Sequence, residues 1–285
     1  MKKKTIRKIL IIVLALVFLG SSGMLLKHEL ERREAADIYA QAQRMAVSTP
    51  TPTQTPPPTQ SPQPEHTPEP SPEQTTEPNP EQTPLPVKPS RPPEEEEVLP
   101  RVDLGALRSV NGDVIGWIEI PDTGLAYPLM QGDDNDYYLN HSWNGRRVAA
   151  GSIFMECQCA ADFTDFNTII YGHRMTYDAM FAYLKYYKNL SYWQAHPLVY
   201  IVEQGGTRCY EIFAAYEASV KSCVYWLKVT DDAHKQAVID FALEHSVIDT
   251  GMIPQTTDRI LTLSTCTESG HATRWVVQAV ERQKN

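Results

Sequence analysis

The feature that most constrains the fold of this chain is a proline-rich stretch, residues 48–100. It holds 18 of the chain's 22 prolines, mixed with Thr, Gln, Ser and Glu and without apolar periodicity. Because such a composition cannot bury a core, we predict a disordered linker, extended at about 3 Å per residue to roughly 150 Å when stretched. The expected role is that of a spacer. The 285-residue chain then has room for one globular domain, residues 101–285.

The N-terminal region carries the signature of a membrane segment. Residues 9–26 have no charged side chain and follow a basic tail, residues 1–8. That length just spans a hydrocarbon core, and a basic flank stays in the cytoplasm. We therefore predict an uncleaved single-pass signal-anchor in the cell membrane, with the domain outside the cell. A cleaved secretory signal is the alternative, because the residues at 20–23 are small enough for a signal peptidase. Residues 27–47 have loose helical spacing and are predicted to form a juxtamembrane helix.

Charge and cysteine content exclude several classes of function. The formal charge of −9 divides into +5 for residues 1–47, −7 for 48–100 and −7 for 101–285, and such an acidic domain argues against nucleic acid as a partner. Five cysteines are too few for a disulfide framework, and their odd number leaves at least one thiol free. Cys157 and Cys159 do not have zinc-site spacing, and residues 133–136 lack the calcium-loop pattern. We predict neither a metal nor a cofactor.

Short apolar and β-branched runs dominate residues 101–285 and predict a mainly β domain. The predicted strands are residues 116–120, 127–130, 152–155, 168–171, 198–202, 210–215, 260–265 and 275–280. Helices are expected at 177–187 and from Asp231 to about residue 245. Many short strands with few helices indicate a closed or nearly closed β-barrel with helical insertions.

Three of the predicted strands carry chemically useful residues at their ends. The strand at 260–265 delivers Cys266, the strand at 168–171 leads to His173, and Arg274 opens the last strand. A thiol is mostly protonated at neutral pH, so a neighbouring imidazole would activate it and later protonate a leaving amine. Arg274 cannot lose its proton and suits a developing oxyanion. His271 is the rival base, because it lies in the same loop as Cys266.

The motifs around these residues resemble the sortases, cysteine transpeptidases of Gram-positive bacteria. T-L-S-T-C at residues 262–266 with Arg274, and I-I-Y-G-H at 169–173, are similar to the active-site strands of that family. N-G-D-V-I-G-W-I at 111–118 and D-N-D-Y-Y-L-N-H at 134–141 resemble class B in particular. The similarity covers about residues 104–280 in order.

The resemblance implies a fold, a reaction and partners. It implies an eight-stranded sortase barrel in which Cys266 is the nucleophile, His173 the acid/base and Arg274 the oxyanion and substrate-positioning residue. Ser264, Thr265 and Glu268 are candidate supporting residues. The family cleaves a sorting signal, here of N-P-x-T-N or x-P-x-T-G type, after its threonine. It then transfers the surface protein from the acyl-enzyme to an amine of a peptidoglycan precursor or a pilin.

Three other interpretations remain open from the sequence. A pilus-polymerising sortase differs from a wall-anchoring one only in the acceptor amine. A secreted cysteine protease would release the acyl group to water instead. A non-catalytic surface-binding or scaffold domain belongs to a different class, and it predicts that replacing Cys266 by alanine has no effect.

Overall fold

Four α-helices and eight β-strands make up the described part of the chain, which is residues 2–47, 102–267 and 270–282 of a computed structural model. The predicted linker at 48–100 and the predicted supporting residue Glu268 lie outside these residues. The helices are α1 (Lys2–Ala46), α2 (Leu104–Val110), α3 (Leu190–Ala195) and α4 (Asp232–His245). The strands are β1 (Val114–Glu119), β2 (Ala126–Met130), β3 (Ile153–Met155), β4 (Asn167–Tyr171), β5 (Leu198–Glu203), β6 (Gly206–Ser219), β7 (Ile260–Thr267) and β8 (Gly270–Glu281).

The strands form one closed barrel in the order β1-β2-β3-β4-β7-β8-β6-β5, and β5 pairs with β1 to close it. Two neighbouring pairs, β2 with β3 and β4 with β7, are parallel, and the other pairs are antiparallel. Apolar strand residues such as Leu129, Ile201 and Val277 are fully buried in one core cluster. The predicted closed eight-stranded barrel is confirmed.

A buried chain of hydrogen bonds fixes the register of four strands. The Tyr216 hydroxyl donates to Gln278 at 2.7 Å, and the Gln278 amide donates to Thr262 at 2.8 Å. Thr262 donates to the amide oxygen of Asn167 at 2.6 Å, and the Asn167 amide nitrogen donates to the Val224 carbonyl at 2.9 Å. Because a buried polar group without a partner is costly, a slip of β4 against β7 is disfavoured.

The predicted helices differ in type. Asp231 caps α4 as expected, accepting a hydrogen bond from the backbone N–H of His234 at 3.0 Å. The helix expected at 177–187 is instead a 3-10 helix, Phe181–Lys188, which follows Met180 in a left-handed conformation with φ 51°. It packs on the barrel, where Trp275 donates to the Leu184 carbonyl at 2.7 Å.

Helix α1 has an exposed N-terminal part and a buried C-terminal part. Among the described residues it is the one helix long and apolar enough to cross a membrane. Its last turns bury Ala35, Ile38, Tyr39, Ala42 and Ala46 in the barrel's core cluster. The contact includes hydrogen bonds from Trp143 Nε1 to the Ile38 carbonyl at 3.1 Å and from the Tyr39 hydroxyl to the Gly151 carbonyl. Helix α1 and the barrel therefore belong to one compact unit.

The two residues that flank the proline-rich stretch lie side by side. Val47 and Val102 form an antiparallel bridge, and the Asp103 N–H donates to the Ala46 carbonyl at 2.8 Å. The chain thus leaves and re-enters the compact unit at one place. The stretch does not set the distance between α1 and the barrel, as the expected spacer would, because α1 contacts the barrel directly.

Candidate active site

Parallel pairing of β4 with β7 brings His173 and Cys266 together. Tyr171 lies opposite Ser264 in this pair, so the residues two positions further along each strand reach the same end of the barrel. The two strands stay connected beyond their last pair of residues, because the Thr265 hydroxyl donates to the Gly172 carbonyl at 2.7 Å. Thr265 is therefore a structural support for the turn that carries His173.

The antiparallel β7–β8 hairpin places Arg274 directly opposite Cys266. Side chains of directly opposed residues project from the same face of a sheet. One guanidinium nitrogen, Nη1, donates to the Thr273 carbonyl at 3.0 Å, which restrains the side chain. The hairpin thus provides a fixed positive charge beside the sulfur.

A backbone carbonyl orients the imidazole of His173. Nε2 lies 2.6 Å from the Leu139 carbonyl oxygen, which can only accept, so Nε2 carries a hydrogen. The side chain also hydrogen-bonds Cys266. Nδ1 is then the nitrogen available to the thiol. Leu139 lies in the D-N-D-Y-Y-L-N-H motif, but no sequence signal identifies its role, because every residue has a backbone carbonyl.

Cys266 differs electrostatically from the other cysteines. Its pKa is lowered by the hydrogen bond to His173 and by the positive charges of Arg274 and His173, although burial opposes the shift. The pKa of His173 is raised, chiefly by the same hydrogen bond. Both shifts favour a thiolate paired with an imidazolium. Burial raises the pKa of each of the other four cysteines, Cys157, Cys159, Cys209 and Cys223.

An open pocket lies beside this cluster. It is lined by Asn135, Leu139, Phe154, Tyr171, Gly172, His173, Ser264, Thr265, Cys266 and Arg274. Ser264 lies on its wall, with its hydroxyl 2.9 Å from that of Tyr225. Tyr225 and Asn135 are site residues that the sequence reasoning missed. Tyr225 ends a short 3-10 helix, Cys223–Tyr225, and Asn135 lies in a loop, and only the folded barrel brings them to the site.

The structure brings together five of the six residues predicted for the site: His173, Cys266, Arg274, Ser264 and Thr265. Glu268 lies outside the described residues, and so does the side chain of the rival base His271. Within the described part of the chain, no group of three or more His, Cys, Asp or Glu side chains could hold a metal ion. The structure is thus a closed barrel that carries a thiol, an imidazole and a guanidinium at one end. These groups define a class of protein, the β-barrel proteins suited to nucleophilic catalysis by a cysteine.

Comparison with known proteins narrows that class to a family. The Sortase domain family matches residues 118–282. Sortase B of Listeria monocytogenes is 37% identical over 167 residues, which is 58% of this chain and 68% of that protein. The Staphylococcus aureus sortase B–substrate complex has a TM-score of 0.60 at 31% identity and covers 64% of this chain and 85% of its own. A sortase B complexed with triglycine has a TM-score of 0.60 at 31% identity, and the alignment covers 64% of this chain and 86% of that one.

The chain belongs to the sortase family. Its relatives are class B enzymes, so it is a class B cysteine transpeptidase.

Proposed function

We propose that Cys266 is the nucleophile of a transpeptidase that joins exported surface proteins to an amine. The observation that carries this proposal is that Cys266 alone among the cysteines has a lowered pKa, with His173 as hydrogen-bond partner and Arg274 opposite in the ladder. A lowered pKa increases the fraction of Cys266 that is present as the nucleophilic thiolate.

In the first half-reaction the Cys266 sulfur attacks the carbonyl carbon of the threonine in a sorting signal. The Arg274 guanidinium stabilises the developing oxyanion. The C–N bond then breaks, and the His173 imidazolium gives its proton to the leaving amine. The product is a thioester on Cys266 and a neutral His173.

In the second half-reaction an acceptor amine attacks the thioester. Its nitrogen forms the new C–N bond and gives a proton to His173, while the C–S bond breaks and releases the thiolate. The relative solved with substrate and the one solved with triglycine support a peptide donor and an amine acceptor. We infer that the acceptor belongs to a peptidoglycan precursor; a pilin lysine would use the same steps.

We further propose that α1 anchors the enzyme in the cell membrane with the barrel outside. The apolar part of α1 is exposed, and the basic flank at residues 2–8 favours a cytoplasmic N-terminus. Eight residues, 27–34, separate the apolar run, which ends at Leu26, from the first buried residue, Ala35, so the two ends are nine helical steps apart. At 1.5 Å per residue the barrel would lie about 14 Å beyond the run. Exported substrates retained in the same membrane would meet it at high effective concentration.

The test uses a soluble variant that begins at Lys27, so that the buried turns of α1 are kept. It is incubated with fluorogenic N-P-x-T-N and x-P-x-T-G peptides, with and without triglycine, beside Cys266→Ala. We expect cleavage after threonine, diversion of the product to the amine, and loss of both in the variant. Matched Cys223→Ala should behave as the parent. Equal turnover by Cys266→Ala would refute the mechanism, and release to water alone would indicate a protease.

A further inference from the structure

A buried carboxylate lies behind the wall of the active-site pocket. Glu156 follows β3 and is only 4% exposed. Both of its oxygens lie near the side-chain nitrogen of Asn135, at 2.7 and 2.8 Å, and Oε2 accepts from the Tyr171 hydroxyl at 3.0 Å. Glu156 is not a lining residue of the pocket, whereas Asn135 and Tyr171 are.

These contacts orient the two lining side chains. One N–H of the Asn135 amide is shared between the two oxygens of Glu156, and the amide oxygen accepts from the Cys157 N–H at 2.9 Å. Tyr171 has a single hydroxyl hydrogen, which goes to Glu156. Burial and the Glu156 carboxylate both raise the pKa of Tyr171, so this hydrogen is kept. Toward a ligand the Tyr171 hydroxyl therefore offers only the lone pairs on its oxygen.

We propose that Glu156 is a positioning residue for substrate binding, which fixes the side chains of Asn135 and Tyr171 in the pocket wall. The Tyr171 oxygen would then accept a hydrogen bond from an N–H group of the sorting peptide. A carboxylate suits the task because it is acceptor-only and can take several donors at once. A glutamine would turn one oxygen into a donor facing Asn135 or Tyr171. This inference rests on the proposed function, since it concerns the same peptide.

The experiment compares the full-length chain in detergent micelles with its Glu156→Gln variant. In this variant Asn135 and Tyr171 lose their fixed orientation, so the peptide loses a hydrogen bond to the wall and its KM should rise about ten-fold. The turnover number and the pH midpoint for alkylation of Cys266 by iodoacetamide should stay as in the parent, because Glu156 does not touch the reacting atoms. A general structural defect would instead change the turnover number and the alkylation midpoint together with KM.

Two further variants complete the design. Glu211→Gln is the matched control, because Glu211 is also buried and pairs with Arg282 at 2.9 Å instead of with residues of the pocket; its KM should equal the parent's. Adding Asn135→Asp to Glu156→Gln restores an acceptor opposite the new donor and should recover part of the KM. If Glu156→Gln does not fold, Tyr171→Phe removes the hydroxyl that joins Glu156 to the peptide and should raise KM by itself.

The outcomes separate the two hypotheses. A parent that cleaves no peptide overturns the proposed function and this inference with it. A parent that cleaves, with Glu156→Gln and Tyr171→Phe at the parent's KM, overturns only the role of Glu156. A shift in the alkylation midpoint of Glu156→Gln would also overturn it, because Glu156 would then act on the thiol.

Discussion

Removing the whole proline-rich stretch should leave the catalytic unit intact and more stable. The change deletes residues 48–101 and joins Val47 to Val102 through a four-residue turn. These two residues already form an antiparallel bridge, so a short turn can span them without moving α1 or the barrel.

The expected gain follows from loop-closure entropy. The deleted stretch counts 54 residues, and the cost of closing a flexible loop grows as 1.5 RT times the logarithm of its length. Shortening the loop from 54 residues to four should therefore stabilise the folded state by about 2 kcal/mol. For a domain of this size that gain raises Tm by about 4 to 9 °C.

The assay compares both full-length proteins in the same detergent, by thermal unfolding and by cleavage of the sorting peptide. A second variant that replaces the stretch with Gly-Ser repeats of equal length controls for composition, and it should match the parent in Tm. A deletion variant with a lower Tm, or with kcat/KM reduced more than three-fold while Tm is unchanged, would refute the reasoning. Either result would mean that the stretch contributes contacts of its own.

Five other outcomes are expected. In His173→Ala the pH midpoint for alkylation of Cys266 should rise, because the hydrogen bond and charge that lower its pKa are lost while burial remains; an unchanged midpoint would contradict the pairing. In the parent, turnover should be bell-shaped, rising as Cys266 ionises and falling as pH passes the raised pKa of His173, as a pH–rate profile would show. Arg274→Gln should lower kcat by about 10²- to 10³-fold with little change in Tm, because the variant loses one group that stabilises the oxyanion. A variant with a raised KM and an unchanged kcat would show instead that Arg274 acts in ground-state binding. Thr262→Val leaves buried amides unpaired and should cost about 2 to 4 kcal/mol in urea unfolding, whereas Thr230→Val, at an exposed loop position, should cost little. A domain that begins at Arg101 lacks the buried side chains of α1 and should unfold at lower urea than one that begins at Lys27.

The sequence predicted what local patterns encode. Apolar and β-branched runs marked all eight strands, and the ends of three of them marked Cys266, His173 and Arg274. Helical spacing at Ala35 and Ile38 also predicted the juxtamembrane helix. These features depend on periods of two or 3.6 residues, which a single sequence displays.

What the sequence did not predict depends on contacts between distant segments. The bridge of Val47 with Val102 spans the whole proline-rich stretch and has no local signal. The Leu139 carbonyl is a backbone group, so the sequence gives no sign that it would accept a hydrogen bond from His173. The helix around Leu184 is a 3-10 helix. Apolar spacing over two turns does not distinguish this type from an α-helix, and the contact with Trp275 has no local signal in the sequence.

The parallel pairing of β4 with β7 has a consequence for when the enzyme becomes reactive during biosynthesis. Cys266 and Arg274 lie on the last two strands, and β7 must insert between β4 and β8. Such non-local pairs form late and slowly, since long segments must be ordered first. Until then Cys266 is an ordinary thiol, because its imidazole partner comes from a strand it has not yet joined. A chain whose barrel has not yet closed therefore carries no activated thiol at Cys266, and the proposed reactivity appears only when the barrel closes.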